Sequence, residues 1–233
     1  MWDSRLRETL PLVQDRIRRA LERAGRGDEV RIVAVTKGHP VEAAAAAVAA
    51  GLTTLGENRV GELAEKVAAV GRGAAEWHMI GHLQRNKARD AVPLFDRIHS
   101  VDSLRLARKL SGEAVRAGLV VRGYMQVNVS GEESKGGFGP GNAVASLRTM
   151  AGLESLEIHG LMTMAPLTDD EAVLRETFRK TRELLETCRR EAPESLAGRE
   201  LSMGMSNDFE IAIEEGATSV RLGTVLFGER KDG

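Results

Sequence analysis

Apolar residues recur at Leu6, Leu10, Val13, Ile17, Leu21 and Ala24, in steps of three and four that predict an amphipathic helix stopped by Gly25 and Gly27. The next stretch changes period. Residues 30 to 37 (VRIVAVTK) form a β-branched apolar run, too short for a helix and closed by Gly38 and Pro40, and read as a buried strand. From there strand and helix signals alternate. Helices are predicted near 41–50, 59–70, 86–92, 104–117, 140–151, 170–191 and 208–215, and strands over 53–58, 76–82, 96–103, 123–130, 156–164, 199–206 and 219–228. No Asn-Gly or similar hairpin signal joins two of these strands, so every connection can be a parallel crossover. Eight such units close a barrel: the expected fold is α/β, a (β/α)8 TIM barrel with an additional N-terminal helix, one domain over residues 1–233. A doubly wound open sheet competes, but its glycine-rich fingerprint after the first strand is absent.

Charge and composition narrow the partners. With 33 basic against 34 acidic residues the formal net charge is -1, so no long-range field favours nucleic acid or an anionic membrane. The two Trp, five Phe and one Tyr do not cluster on a basic face, which also argues against nucleic acid. One cysteine, Cys188, permits neither an intramolecular disulfide nor a cysteine metal cluster. No His-x-x-x-His spacing occurs, and no metal is expected. Arg5, Arg7, Arg16, Arg18 and Arg19 interleave with Asp3, Glu8 and Asp15 and leave no apolar signal segment. The longest apolar run, Ala43 to Ala50, falls far short of the roughly 20 residues of a membrane span. A cytoplasmic protein with small-molecule partners is the expectation.

In such barrels the reactive groups sit where strands end at their C-terminal side. The polar residues there are Lys37, Glu57 and Asn58, His82, Asp102 and Ser103, Asn128 and Ser130, Thr163, Ser206 and Asn207, and Arg221 with Thr224. Only seven of the basic residues are lysines, and Lys37 alone terminates an apolar strand. Partial desolvation there lowers an amine's pKa and makes it a nucleophile for an aldehyde. Taken alone, Lys37 reads better as a structural lysine that snorkels to the rim or pairs with a carboxylate such as Glu57.

The second feature follows strands seven and eight, where barrels often build a phosphate site. Residues 202–208 (SMGMSND) run from strand to helix, presenting the Ser206 hydroxyl and free N–H groups. Arg221-Leu222-Gly223-Thr224 ends strand eight with a glycine that permits close backbone approach, beside a hydroxyl and a guanidinium. Simple N-capping accounts for Ser206 or Asn207 individually, and a salt bridge accounts for Arg221. Together, an amine and a phosphate cradle describe a phosphorylated aldehyde.

The turn-rich loop 130–140 (SGEESKGGFGP) follows strand five and reads as a lid, with Lys135 offering a second amine or simply a solvated one. His82 either touches a ligand or closes strand three. His78 and His159 are expected to fill the core, while His39 and His99 show no partner in the sequence.

These residues carry a resemblance. Ala34-Val35-Thr36-Lys37, Gly56-Glu57-Asn58, residues 77–84 (WHMIGHLQ), 128–138, Gly160-Leu161-Met162, 202–208 and 220–228 together resemble the pyridoxal phosphate homeostasis protein family, single-domain relatives of the N-terminal barrel of bacterial alanine racemase. The resemblance covers nearly the whole chain. It implies pyridoxal 5'-phosphate (PLP) as the cofactor, held as a Schiff base by Lys37. Ser206, Gly223 and Thr224 would hold the phosphate, Arg221 would face the pyridine nitrogen, and Asn58 would line the ring pocket. Arg59 after Gly-Glu-Asn and Thr36 before the lysine depart from some relatives, which carry tyrosine and serine there.

A guanidinium does not hand over its proton, so the ring nitrogen facing Arg221 stays unprotonated and the cofactor is a poor electron sink. Relatives that racemise amino acids use a second domain and a tyrosine as the opposing base. This chain ends five residues after Gly228, and its one tyrosine, Tyr124, starts strand five and points to the other end of the barrel. Two-sided proton transfer needs two opposed acid–base groups, and only the lysine is credible as one. The expected function is a monomeric, non-catalytic PLP-binding protein of vitamin B6 homeostasis, passing PLP to PLP-requiring apo-enzymes. The alternatives are a PLP-dependent amino-acid racemase and an aldolase-like barrel forming a Schiff base with a sugar phosphate.

Overall fold

Strands β1 (Arg31–Val35), β2 (Thr54–Glu57), β3 (Glu76–Met79), β4 (Arg97–Val101), β5 (Val121–Gln126), β6 (Leu156–Met162), β7 (Glu200–Met205) and β8 (Ser219–Leu222) pair in chain order, all parallel. β1 pairs with both β2 and β8, which closes the barrel. The computed structural model describes residues 1–132 and 136–229. Helices α1 (Trp2–Arg23), α2 (Val41–Ala49), α3 (Val60–Val70), α4 (Ala88–Ala91), α5 (Leu104–Ala117), α6 (Pro140–Ala151), α7 (Glu171–Glu191), α8 (Phe209–Glu214) and α9 (Thr224–Phe227) surround it. The expected barrel with an added N-terminal helix is the observed architecture.

Local chemistry explains the boundaries. Ser103 caps α5, its hydroxyl accepting from the Leu106 N–H at 3.3 Å, and Gly118 ends the helix in the left-handed region (φ 64°). Asp170 caps α7 through the N–H groups of Ala172 and Val173 at 2.9 and 3.4 Å. Leu6, Leu10, Val13, Ile17 and Ala20 bury one face of α1, which packs on α8 and α9. Arg16 pairs with Glu210 at 2.7 Å and Arg23 with Glu214 at 2.6 Å.

Four expectations are corrected. Residues 219–228 are not one strand: β8 stops at Leu222, Gly223 turns the chain (φ -115°, ψ -81°), and α9 follows. The apolar run continues through both, so its composition hides the break. β1 stops at Val35, leaving Lys37 in a turn with Gly38 at φ 69°. β3 stops at Met79 rather than 82, placing His82 in a loop. β5 begins at Val121 and ends at Gln126, so Asn128 and Ser130 also lie in a loop. Two 3-10 turns, Arg72–Ala74 and Pro193–Ser195, carried no sequence signal.

The barrel interior holds a polar cluster. Bonds between strands that are not neighbours, such as His99 on β4 to Ser202 on β7, can cross only through the lumen. They place His78, His99, Ser202 and Arg221 inside, with Tyr124 packed on His99 at 4.4 Å between ring centroids. The alternate residues Val220 and Leu222 of β8 turn outward into the helix layer, as the two-residue strand period requires.

Candidate functional site

The residues that the resemblance assigns to the cofactor lie on or after β1, β2, β7 and β8, four consecutive staves of the closed barrel. Val33 of β1 is in register with Arg221 of β8. A Cβ at Gly223 would lie 3.4 Å from the Val35 Cβ, so the turn after β8 sits against the end of β1. Lys37 follows two residues on, half-buried. Asn58, also half-buried, lies against the backbone of Gly81: a Cβ there would meet the Asn58 amide at 2.8 Å.

Ser206 bridges β7 and the turn after β8. Its Oγ accepts from the backbone N–H groups of Gly223 and Val225, both at 3.3 Å. Two backbone donors and a hydroxyl converge there beside the exposed Thr224. Met205 N–H donates to Asp208 Oδ1 at 2.5 Å, which fixes the chain between β7 and α8. Burial pushes the Asp208 carboxyl above its ordinary range.

Arg221 is buried. Its NH1 donates to the Ser202 carbonyl at 2.8 Å and to Ser202 Oγ at 2.7 Å, and its NH2 to the Thr163 carbonyl at 2.9 Å. Desolvation brings this arginine down to about 10, opposed by Asp208, so the guanidinium stays charged near neutral pH.

Glu57, expected at the rim, is instead buried behind it. Lys66 of α3, which sequence reasoning did not single out, donates to Glu57 Oε1 at 2.6 Å and to the Thr36 carbonyl at 2.7 Å. Thr36 adds its hydroxyl to the same oxygen at 2.5 Å. Burial raises the Glu57 pKa despite the ammonium.

His82 Nδ1 meets Asp102 at 3.0 Å in an exposed pair on the C-terminal face. Asn128 organises its own loop, accepting from the N–H of Gly131 at 3.0 Å and donating to the Glu132 carbonyl at 2.8 Å. Lys135 lies outside the described residues. His39 packs between Trp2 and Phe227, at 5.0 and 5.4 Å between rings.

His159 is not a core residue: it sits at the N-terminal mouth, 3.2 Å from Glu157 and 3.7 Å from Glu200. His99, for which no partner was legible, bonds both His78 and Ser202. Tyr124 lies mid-strand rather than at the start of β5, and its hydroxyl donates to Glu200, the first residue of β7, at 2.5 Å. It therefore faces the mouth opposite Lys37. Among the described residues no group of three or more His, Cys, Asp or Glu side chains could hold a metal ion, and no helix is long and apolar enough to cross a membrane.

Comparison with known proteins adds an independent line. The family described as alanine racemase, N-terminal domain, matches residues 10–231. The pyridoxal phosphate homeostasis protein of Aquifex aeolicus is 42% identical over 225 residues, spanning 96% of this chain and 98% of its own. That of Pseudomonas aeruginosa is 41% identical over 232 residues, 99% and 98% of the two chains. The structure of PipY from Synechococcus elongatus with PLP bound superposes with a TM-score of 0.81 at 40% identity, covering 91% of this chain and all (100%) of that one. Alanine racemase of Clostridium difficile superposes with a TM-score of 0.76 at 18% identity, over 98% of this chain and 60% of its own, a likeness of fold alone.

Proposed function

The chain belongs to the pyridoxal phosphate homeostasis protein family, and from that premise we propose that it binds PLP as a Schiff base on Lys37 and holds it without catalysis of its own. The observation that carries this reading is the convergence of the Gly223 and Val225 N–H groups on Ser206 Oγ, on the stave next to the one that Lys37 extends. An amine and an anion cradle in one sector of the rim suit a phosphorylated aldehyde. The site fits the cofactor in a further respect: the buried Arg221 brings a fixed positive charge to the same stave.

Bound PLP supplies an aldehyde for the lysine and a pyridine ring that withdraws electrons when its nitrogen is protonated. The chain's own groups then decide how far chemistry goes. Ser206, Gly223 and Thr224 hold the phosphate, and Asn58 lines the ring pocket. Arg221, charged and a donor only, would leave a pyridine nitrogen placed against it unprotonated. The Tyr124 hydroxyl is committed to Glu200 at the opposite mouth, so this tyrosine offers no second proton-transfer group above the rim. Such a site suits a reversible carrier, and our reading is a monomer that stores PLP and passes it to PLP-requiring apo-enzymes.

Borohydride reduction after incubation with PLP, followed by peptide mass mapping, tests the assignment. A pyridoxyl adduct on Lys37 is expected, with no visible cofactor band in Lys37→Ala. An unmodified Lys37 overturns the site, and robust racemisation of any amino acid by the purified protein overturns the non-catalytic reading.

A further inference from the structure

Behind Arg221 a line of polar groups crosses the barrel interior, and one order of protons gives each of its links a donor and an acceptor. Arg221 Nη1 lies 2.7 Å from Ser202 Oγ. Arginine carries donors only, so Ser202 Oγ accepts, and among the described residues the acceptor within reach of its own hydrogen is His99 Nδ1 at 2.8 Å. With Nδ1 accepting, a neutral His99 carries its proton on Nε2 and gives it to His78 Nδ1 at 2.9 Å. The same rule puts the His78 proton on Nε2. That edge faces Glu76 Oε2 at 3.6 Å, too long for a hydrogen bond, and Nε2 has no other polar partner among the described residues.

Both rings are neutral because burial lowers their pKa values, that of His99 well below the usual one. Glu76 is ionised: His78 in its protonated form, with Arg31 and Arg97 beside it, holds the carboxyl well below the ordinary carboxylate range, so it is charged before the ring loses its proton. The chain thus begins at a group that can only donate and ends at one that can only accept. Every lone pair along it faces the guanidinium and every N–H or O–H faces the carboxylate, so the bond dipoles favour both terminal charges. Tyr124 and Arg97 flank the line and Asp208 supplies the counter-charge near Arg221.

We propose that Glu76, His78, His99 and Ser202 form a one-way polar chain that positions the Arg221 guanidinium and couples the N-terminal mouth of the barrel to the cofactor site at the other end. These are positioning residues, acting through Arg221. Their effect on PLP rests on the placement of Arg221 against the pyridine nitrogen; the proton order along the chain does not.

Two measurements separate these parts. Long-range proton–nitrogen NMR correlations on the nitrogen-15-labelled protein without cofactor read the tautomers directly. Nε2–H forms of both His78 and His99 are expected at neutral pH, with the His99 Nδ1 resonance moving in Ser202→Ala. An Nδ1–H form, or a doubly protonated ring, at either residue overturns the chain. In the PLP-loaded protein, Glu76→Gln is expected to shift the visible cofactor band and to raise the release rate about threefold, a modest long-range coupling. Glu157→Gln, at the same mouth but off the chain, is expected to do neither. Equal behaviour of the two variants overturns the coupling. Failure of the wild-type protein to take up PLP refutes the PLP reading, and the tautomer pattern then decides the chain by itself.

Discussion

The Lys66 ammonium lies 2.6 Å from Glu57 Oε1 with both side chains buried, directly behind Thr36 and hence behind the turn that carries Lys37. The second carboxylate oxygen, Oε2, is buried with no polar partner among the described residues. The pair is therefore finely balanced: burial raises the Glu57 pKa, and Lys66 is the largest influence holding it down.

Removing one partner leaves the other charge uncompensated in a dry site. Lys66→Met is expected to lower the unfolding free energy by about 3–5 kcal/mol, as broken buried pairs do. Adding Glu57→Gln removes the stranded charge and recovers part of that loss. Denaturant titration of the two variants checks this, and a double variant no more stable than the single one defeats the account.

Ser206 presents a different balance, since both of its backbone donors sit at a long 3.3 Å. Those N–H groups are weakly held and free to re-aim at a phosphate. If Ser206 holds the phosphate as proposed, Ser206→Ala removes one donor to it, and a hydrogen bond to a charged group is worth about 1.5–3 kcal/mol, so PLP affinity is expected to fall about 10- to 100-fold. Affinity for pyridoxal, which lacks the phosphate, is expected to stay unchanged. Equilibrium titrations with the two aldehydes separate the outcomes, and an equal loss for both removes Ser206 from the phosphate site.

The eight-unit alternation and the bounds of α5 and α6 were legible in the sequence because capping residues and turn glycines mark them locally. Lys37, Ser206 and Gly223 were legible for a related reason: polar or flexible residues closing apolar runs identify the rim of a barrel. The α9 turn was not, because Val225, Leu226 and Phe227 continue the apolar pattern of β8. Nor was the Glu57–Lys66 pair, whose members belong to a strand and a helix with no shared period. The His78, His99, Ser202 and Arg221 contacts were hidden more deeply, since they join strands separated by 19 to 103 residues. His99 and Ser202, on β4 and β7, become neighbours only when the barrel closes.

The two lumen histidines set an acid limit on stability. In the unfolded chain both bind protons as pH falls through about 6.5; in the folded barrel burial keeps them neutral to lower pH. The unfolded state then holds more protons, so stability falls with falling pH by up to about 1.4 kcal/mol per unit for each ring. His99→Phe removes one of the two and is expected to flatten the slope just below pH 6.5, even though its stability at neutral pH is lower. Urea unfolding across that range reads the slope, and a slope identical to wild type contradicts the burial of a neutral His99.

α1 clamps the far end of α9, so the turn proposed to hold the phosphate depends on a helix outside the barrel. Arg5 donates to the Phe227 carbonyl at 3.2 Å and Thr9 to the Leu226 carbonyl at 2.9 Å. Gly228 follows at φ 80°, ψ -177°, a conformation open essentially to glycine, and a Cβ there would clash with the Arg5 guanidinium. Gly228→Ala thus carries two separable penalties: backbone strain of about 1–3 kcal/mol, and displacement of the Arg5 guanidinium with loss of its bond, about 0.5–1.5 kcal/mol. In an Arg5→Ala background only the strain remains. The double variant is therefore expected to be about 1 kcal/mol more stable than the sum of the single losses predicts. Because α9 opens on Thr224 and Val225, Gly228→Ala is also expected to weaken PLP binding more than pyridoxal binding. Strict additivity in denaturant titrations, with equal effects on both aldehydes, removes the clamp from the phosphate site.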